Sequence, residues 1–418
     1  MKILKLILMG GSLTALRMVM GFIVTKFIAV YAGPTGVALA GQLQSFVMAI
    51  NGVIATEMSK AVVRFTSQHQ ASGIEAMSKW WSAVTSLIVI VLSIFIPLAC
   101  LFSSNISQWL FGSELYQWVV IIALIALPLN AMNSILLSTL NGLGENKKNI
   151  SSSMISIIIS TVVVLFLLQT IGIEGALIAL SLNNAIAGLV VLFRVYNSEW
   201  LKIRYWFGKI DSDKLKPLYG YMVMGVVGAT TGPTSIMLIR NLIVENYSIV
   251  DAGIWQSVWR ISSAYISVIT FGVSMYYFPI VAKINSRSEL LIETRSVLMI
   301  VIPASLISGL CIYYLREQII YLLFSDEFVN ASDLFFPQVV GDIIRTIAFV
   351  PACVIMARGY IKVNIVAEVV INLIFVGLVY FMLPSFGLIG VNYSYAILYF
   401  IYLIFAFTFL YFHLNTLD

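Results

Sequence analysis

Five cations sit where a cation is costly to keep. Arg17, Lys26, Arg240, Arg260 and Arg345 all lie inside long apolar stretches. A charge of this kind in hydrocarbon costs at least ~2.5–3.5 kcal/mol, so it faces a polar cavity, pairs with an acid or reaches back to the headgroups. In a cavity, guanidinium and ammonium groups hold anions, and their donors suit phosphate or pyrophosphate best. Reaching back is easiest for Lys26 and Arg240, each about one turn inside a predicted outer boundary. It is harder for Arg260, roughly two turns in, and for Arg17, near mid-membrane. Arg345 is deeper than Arg260 in its own segment.

Three acids share these stretches: Glu57, Asp342 and Glu368. Asp342 and Arg345 are i,i+3 on one expected helix, which predicts a direct pair. Glu57, Lys60 and Arg64 fall on one helical face and form either a gate lock or a plain ion cluster at the membrane edge. Glu368 has no cation three or four residues away, which makes it the leading candidate for a group that titrates during an ion-coupled cycle. Gln42, Gln44, Asn51, Asn130, Asn133, Asn141, Asn183, Asn184, Gln256, Asn372 and Asn392 add neutral polar groups. They serve as interhelical hydrogen bonds or as the lining of a wet cavity.

The elements that must position these groups are membrane helices. The 418 residues are 60% hydrophobic and 10% charged, against roughly 25% charged in a soluble domain. Apolar runs at 6–31, 38–63, 80–102, 117–141, 150–169 and 174–195 precede a polar linker, NSEWLKIRYWFGKIDSDKLK. Runs at 217–244, 252–282, 294–314, 332–356, 361–383 and 388–412 follow it. Each is long enough to cross ~30 Å of hydrocarbon as a helix, and none alternates as a barrel strand would. Twelve spans result, an all-α polytopic fold.

Lys and Arg populate every second break between spans, whereas the intervening breaks hold Arg316 alone. That asymmetry places both termini and the linker in the cytoplasm. Trp109 and Trp118 fall at outer boundaries and Trp80 and Trp81 at an inner one, as an aromatic belt would. The linker mixes Trp, Tyr and Phe with cations, which suits an interfacial segment.

The chain repeats itself. Leu110-Phe-Gly-Ser-Glu114 recurs as Leu323-Phe-Ser-Asp-Glu327, 213 residues later, and Gly172-Ile-Glu-Gly175 as Gly387-Leu-Ile-Gly390, 215 later. Gly41-Gln-Leu-Gln-Ser45 recurs as Gly253-Ile-Trp-Gln-Ser257, and the segment from Lys26 as the segment from Arg240, at offsets of 212 and 214. A duplicated six-helix unit follows: residues 1–196 and 217–418, joined by an amphipathic linker over 197–216. Six is even, so the copies are related by a twofold along the membrane normal and are expected to flank a central cavity. Lys26, Arg240, Arg260 and Arg17 are the expected substrate-binding cations. Glu368, Asp342, Arg345, Glu57 and Lys60 are the expected coupling or gating groups.

Several function classes lack their signatures. There is no GxxxxGK[ST], no GxGxxG, no nucleophile elbow and no Cys/His cluster; the expectation is a non-enzyme without cofactor or metal. The net charge of +5 is spread over loops on one side, which favours anionic headgroups over nucleic acid. Cys100, Cys311 and Cys353 read as small hydrophobes.

The segments 26–36 (KFIAVYAGPTG), 251–257 (DAGIWQS), 322–328 (LLFSDEF), 339–345 (VVGDIIR) and 357–368 (ARGYIKVNIVAE) carry a resemblance. The chain resembles the Wzx polysaccharide flippases of the multidrug/oligosaccharidyl-lipid/polysaccharide exporter superfamily, closest to the O-antigen translocase and lipid III flippase branch. The resemblance implies movement of an undecaprenyl-diphosphate-linked oligosaccharide from the cytoplasmic to the periplasmic leaflet of a bacterial inner membrane. It implies alternating access, driven by an ion gradient or the membrane potential, beside a polysaccharide polymerase and a chain-length regulator. Lys26, Arg240, Asp342 and Glu368 fall in matching segments; Arg260 departs from the branch, which carries a small polar residue there. The alternatives are a drug/cation antiporter of the same superfamily, which an excess of cations opposes, and a non-transporting scaffold of the assembly complex.

Overall fold

The computed structural model describes residues 2–207, 212–284 and 286–415. Among them the chain is helical almost throughout, without a strand. In order come α1 (Lys2–Asn51), α2 (Glu57–His69), α3 (Ile74–Leu101), α4 (Ser103–Phe111), α5 (Gln117–Ile125), α6 (Leu127–Gly142), α7 (Asn146–Ile171) and α8 (Ile173–Val195). Then follow α9 (Ser212–Asn246), α10 (Ile249–Val281), α11 (Arg287–Tyr314), α12 (Arg316–Leu323), α13 (Phe335–Ala357), α14 (Ile361–Phe386) and α15 (Ile389–Leu414).

Among the described residues, ten stretches are long and apolar enough to cross a membrane. One of them, Gly11–Ser72, is 62 residues long, about three times the ~20 that one crossing needs. It folds back at Gly33, whose φ of 59° leaves the helical range just before Pro34. A β-carbon at Gly33 would be strained at that φ. The stretch is thus long enough for two crossings, in keeping with the expected all-α polytopic membrane fold.

The duplication is visible element by element. α3 and α11 are both 28 residues long, and α7 and α14 are both 26. Gly172 ends α7 at φ 76°, and its repeat mate Gly387 ends α14 at φ 75°. Each long helix, α3 and α11, is followed by a short one, α4 and α12.

The chain divides into two compact units, Met1–Ala32 with Leu39–Met237 and Gly33–Ala38 with Leu238–Asp418. Within each, helices close on one another through small residues. A β-carbon on Gly188 would lie 2.7 Å from the Leu129 carbonyl oxygen, so α8 packs backbone to backbone on α6. Gly341 does the same for α13 and α15, where a β-carbon would meet Tyr395 Cδ1 at 2.4 Å. Close approach of this kind replaces the hydrophobic drive that lipid cannot supply. Buried hydroxyls such as those of Ser156 and Thr294 bond to carbonyls four residues back, on Ser152 and Leu290, and so need no water. Large apolar residues such as Ile94, Ile300, Leu373 and Phe381 face outward, as a lipid solvent requires.

Trp80 and Trp81 do not form a belt. Trp81 is fully buried and Trp80 nearly so. The Trp81 indole N–H donates to Thr66 Oγ1 at 2.8 Å, and Trp80 stacks on Phe65. An indole at a helix end reads as an anchor from sequence, but here α2 supplies a hydroxyl and a ring that bury it. Trp109 is 43% exposed.

Candidate functional site: a buried polar network and its cations

The C-terminal unit gathers its chemistry around Asp342, which is buried on α13. Oδ1 accepts hydrogen bonds from Ser262 Oγ at 2.6 Å, Tyr395 Oη at 2.9 Å and Gln338 Nε2 at 3.2 Å. Oδ2 accepts from Tyr265 Oη at 2.6 Å. Helix geometry sets this up. Ser262 and Tyr265 are i,i+3 on α10, Gln338 and Asp342 are i,i+4 on α13, and Tyr395 enters from α15 through the gap that Gly341 leaves. Asn392, one turn before Tyr395, donates to Gln338 Oε1 at 2.7 Å and fixes that amide's orientation.

All four partners of the carboxylate donate, which is the environment of an ionised acid. A proton on Asp342 would turn one acceptor into a donor, and a hydroxyl of Ser262, Tyr265 or Tyr395 would turn to accept from it.

Arg345 does not meet Asp342 directly, contrary to the i,i+3 expectation. Its Nη1 donates to the Tyr395 hydroxyl at 3.2 Å, which in turn donates to Asp342. The guanidinium carbon lies 5.2 Å from the centre of the Tyr399 ring. A tyrosine from a neighbouring helix thus stands between the two charges and binds both, and the aromatic face holds the guanidinium.

Arg240 is buried on α9, with only 3% of its surface exposed. Its Nε donates to Gln256 Oε1 on α10 at 2.8 Å. Gln256 is the repeat mate of Gln44, as Arg240 is of Lys26, so each copy of the repeat carries a cation and an amide at equivalent places. Lys26 and Arg260 are half-buried within their own units, and Arg17 is exposed on α1. Glu368 is half-buried on α14, its carbonyl accepting from Asn372. Lys60 is exposed on α2; the side chain of Glu57 lies outside the described residues. Among the described residues no group of His, Cys, Asp and Glu has metal-binding geometry.

Ser262, Tyr265, Gln338, Tyr395 and Tyr399 were not among the sequence candidates. Their signal was present as polar stripes: 262 and 265 on one helix, 338, 342, 345 and 346 on a second, 392, 395 and 399 on a third. Tyrosines in a membrane helix are read as interfacial or aromatic core, which masks their hydroxyls.

The profile of the polysaccharide biosynthesis protein family matches residues 3–285. Lipid III flippases of Escherichia coli (strain K12) and Shigella flexneri are each 25% identical over 403 residues, covering 96% of this chain and 96% of theirs. Among solved structures, an inward-facing multidrug resistance MATE family transporter of the MOP superfamily superposes with a TM-score of 0.82 at 13% identity. It covers 96% of this chain and 95% of its own. Lipid II flippase MurJ, in an inward closed conformation, gives 0.74 at 17% identity over 96% of this chain and 86% of its own. With two thirds of its length under that family profile and the same twelve-helix fold as these transporters, the chain belongs to the polysaccharide biosynthesis protein family.

Proposed function

We propose that this protein is a flippase that carries an undecaprenyl-diphosphate-linked oligosaccharide, an O-antigen or related surface repeat unit, from the cytoplasmic to the periplasmic leaflet. The observation that carries this reading is the placement of Arg240 and Lys26. A guanidinium and an ammonium occupy equivalent positions in the two repeats of a polysaccharide biosynthesis protein, each inside a membrane helix. A diphosphate has two phosphates, and two repeat-related cations suit it. Lipid III flippases that match this chain from end to end support the same substrate class.

On this reading Lys26, Arg240, Arg260 and Arg17 attract the diphosphate, and transport proceeds by alternating access. The Asp342 network, with Glu368 as a second acid, supplies ion coupling: a proton on Asp342 rearranges the hydrogen bonds that link α10, α13 and α15. The protein works in the bacterial inner membrane with cytoplasmic termini, next to a polymerase and a chain-length regulator, and is not an enzyme. Depletion in cells tests the substrate. A lipid-linked oligosaccharide of defined mass should accumulate on the cytoplasmic side. Normal surface polysaccharide with no such accumulation would refute the reading, and altered drug resistance alone would favour the antiporter alternative.

A further inference from the structure

The segment after α8 is fastened to the N-terminal unit by a stack of tryptophans. Trp206 lies nearly parallel to Trp81 of α3, ring centres 5.1 Å apart, and Trp200 meets Trp81 edge-on at 6.3 Å. The Trp206 indole N–H donates to the Trp200 carbonyl at 3.0 Å. Lys148 of α7 donates to Ser198, and Arg194 of α8 donates to Ser151. These bonds fix which way the segment faces. With both tryptophans turned in, Ile203 and Phe207 are turned out, 76% and 57% exposed, and the flanking Lys202 and Arg204 are exposed beside them.

Large apolar side chains with that exposure need a partner. Their position names it. The segment begins where α8, a membrane-length helix, ends, and Phe193 and Tyr196 at that end are also exposed. The outward residues therefore lie at the boundary between hydrocarbon and headgroups. From 193 to 207 there are three cations, Arg194, Lys202 and Arg204, and one acid, Glu199. Apolar residues interleaved with cations at that depth match a surface that is apolar beneath and negative above.

We propose that Ile203, Phe207, Lys202 and Arg204 form a docking surface for anionic phospholipid headgroups. The apolar pair enters the leaflet at this end of α8, the cations hold lipid phosphates, and the tryptophan stack passes that anchorage to α3. The proposal does not depend on what the protein transports.

The test uses the full chain with Cys100, Cys311 and Cys353 replaced by Ser and Ile203→Cys carrying an environment-sensitive fluorophore. The protein is reconstituted in vesicles of phosphatidylcholine with brominated phosphatidylglycerol, or with brominated phosphatidylcholine at the same fraction. Phosphatidylglycerol should quench the probe at a markedly lower fraction, with a preference of roughly five-fold per cation. Lys202→Gln and Arg204→Gln should each remove about that factor, and salt near 1 M, where the Debye length is about 3 Å, should erase the preference. Millimolar inorganic phosphate should not compete. Equal quenching by both lipids at low salt, or quenching by neither, would overturn the proposal. Salt acts on the unsubstituted cations, so a variant that fails to fold leaves the test intact, and Phe207→Cys repeats it at a second position.

Discussion

Tyr395 joins the two charges of the site, Asp342 and Arg345. Its hydroxyl donates a hydrogen bond to Asp342 and accepts one from Arg345, so its loss leaves an acid short of a donor and a guanidinium short of an acceptor. Hydrogen bonds to charged groups are worth ~1.5–3 kcal/mol each. Tyr395→Phe should therefore lower the stability of the C-terminal unit by about that much, measured by thermal unfolding in detergent. The effects of Tyr395→Phe and Arg345→Met should be non-additive, because they remove the same bond; simple additivity would mean that the two side chains act separately. Arg240→Ala should cut substrate binding about tenfold or more on the same estimate, with Lys26→Ala similar and Lys26→Arg milder. Normal export by both alanine variants at normal protein levels would remove the cationic-site model. The charged residues were legible in the sequence because a charge in an apolar run is conspicuous. The amides Gln256 and Asn392 were legible too, but the hydroxyl partners were not, because Ser262, Tyr265 and Tyr395 are ordinary in membrane helices until three helices are seen to converge.

At the scale of elements, glycines decide how near the helices come. Gly341→Ala places a β-carbon 2.4 Å from a Tyr395 ring atom and should force α15 away from α13, lengthening the bond from Tyr395 to Asp342. Gly377→Ala, in α14, meets nothing within 4 Å and should be neutral or stabilising by up to ~1 kcal/mol, since alanine restricts the unfolded helix. Comparing the two by thermal unfolding separates packing from propensity; equal effects would contradict the packing argument. The spans were legible from hydropathy, and the repeat from four short matches, because duplicated turn glycines such as Gly172 and Gly387 keep their backbone role. The break between the spans 6–31 and 38–63 was expected from hydropathy, but the π-helical turn at Gly52–Thr56 has no marker in composition. Nor did hydropathy distinguish a buried Trp81 from an interfacial one, since that depends on Thr66 and on the linker, far away in sequence.

At the scale of the whole molecule, the account requires energy without an ATP-binding motif. The diphosphate carries about two negative charges, and outward movement through a negative-inside potential gains up to ~4.6 kcal/mol per 100 mV for two charges. A coupled proton at Asp342 or Glu368 is the other source. Reconstituted vesicles with potential and pH gradient set independently distinguish them. Flipping that follows potential alone and survives both Asp342→Asn and Glu368→Gln would rule out proton coupling at these acids. The central claim is flipping itself, and one measurement meets it directly. Purified protein is reconstituted with a fluorescent undecaprenyl-diphosphate oligosaccharide distributed over both leaflets, and an impermeant quencher is added outside. The account predicts that quenching, limited to the outer half in protein-free vesicles, proceeds to near completion with the protein present and slows sharply with Arg240→Ala. Quenching that stops at the outer half with correctly folded protein, under an imposed potential and pH gradient, would contradict it.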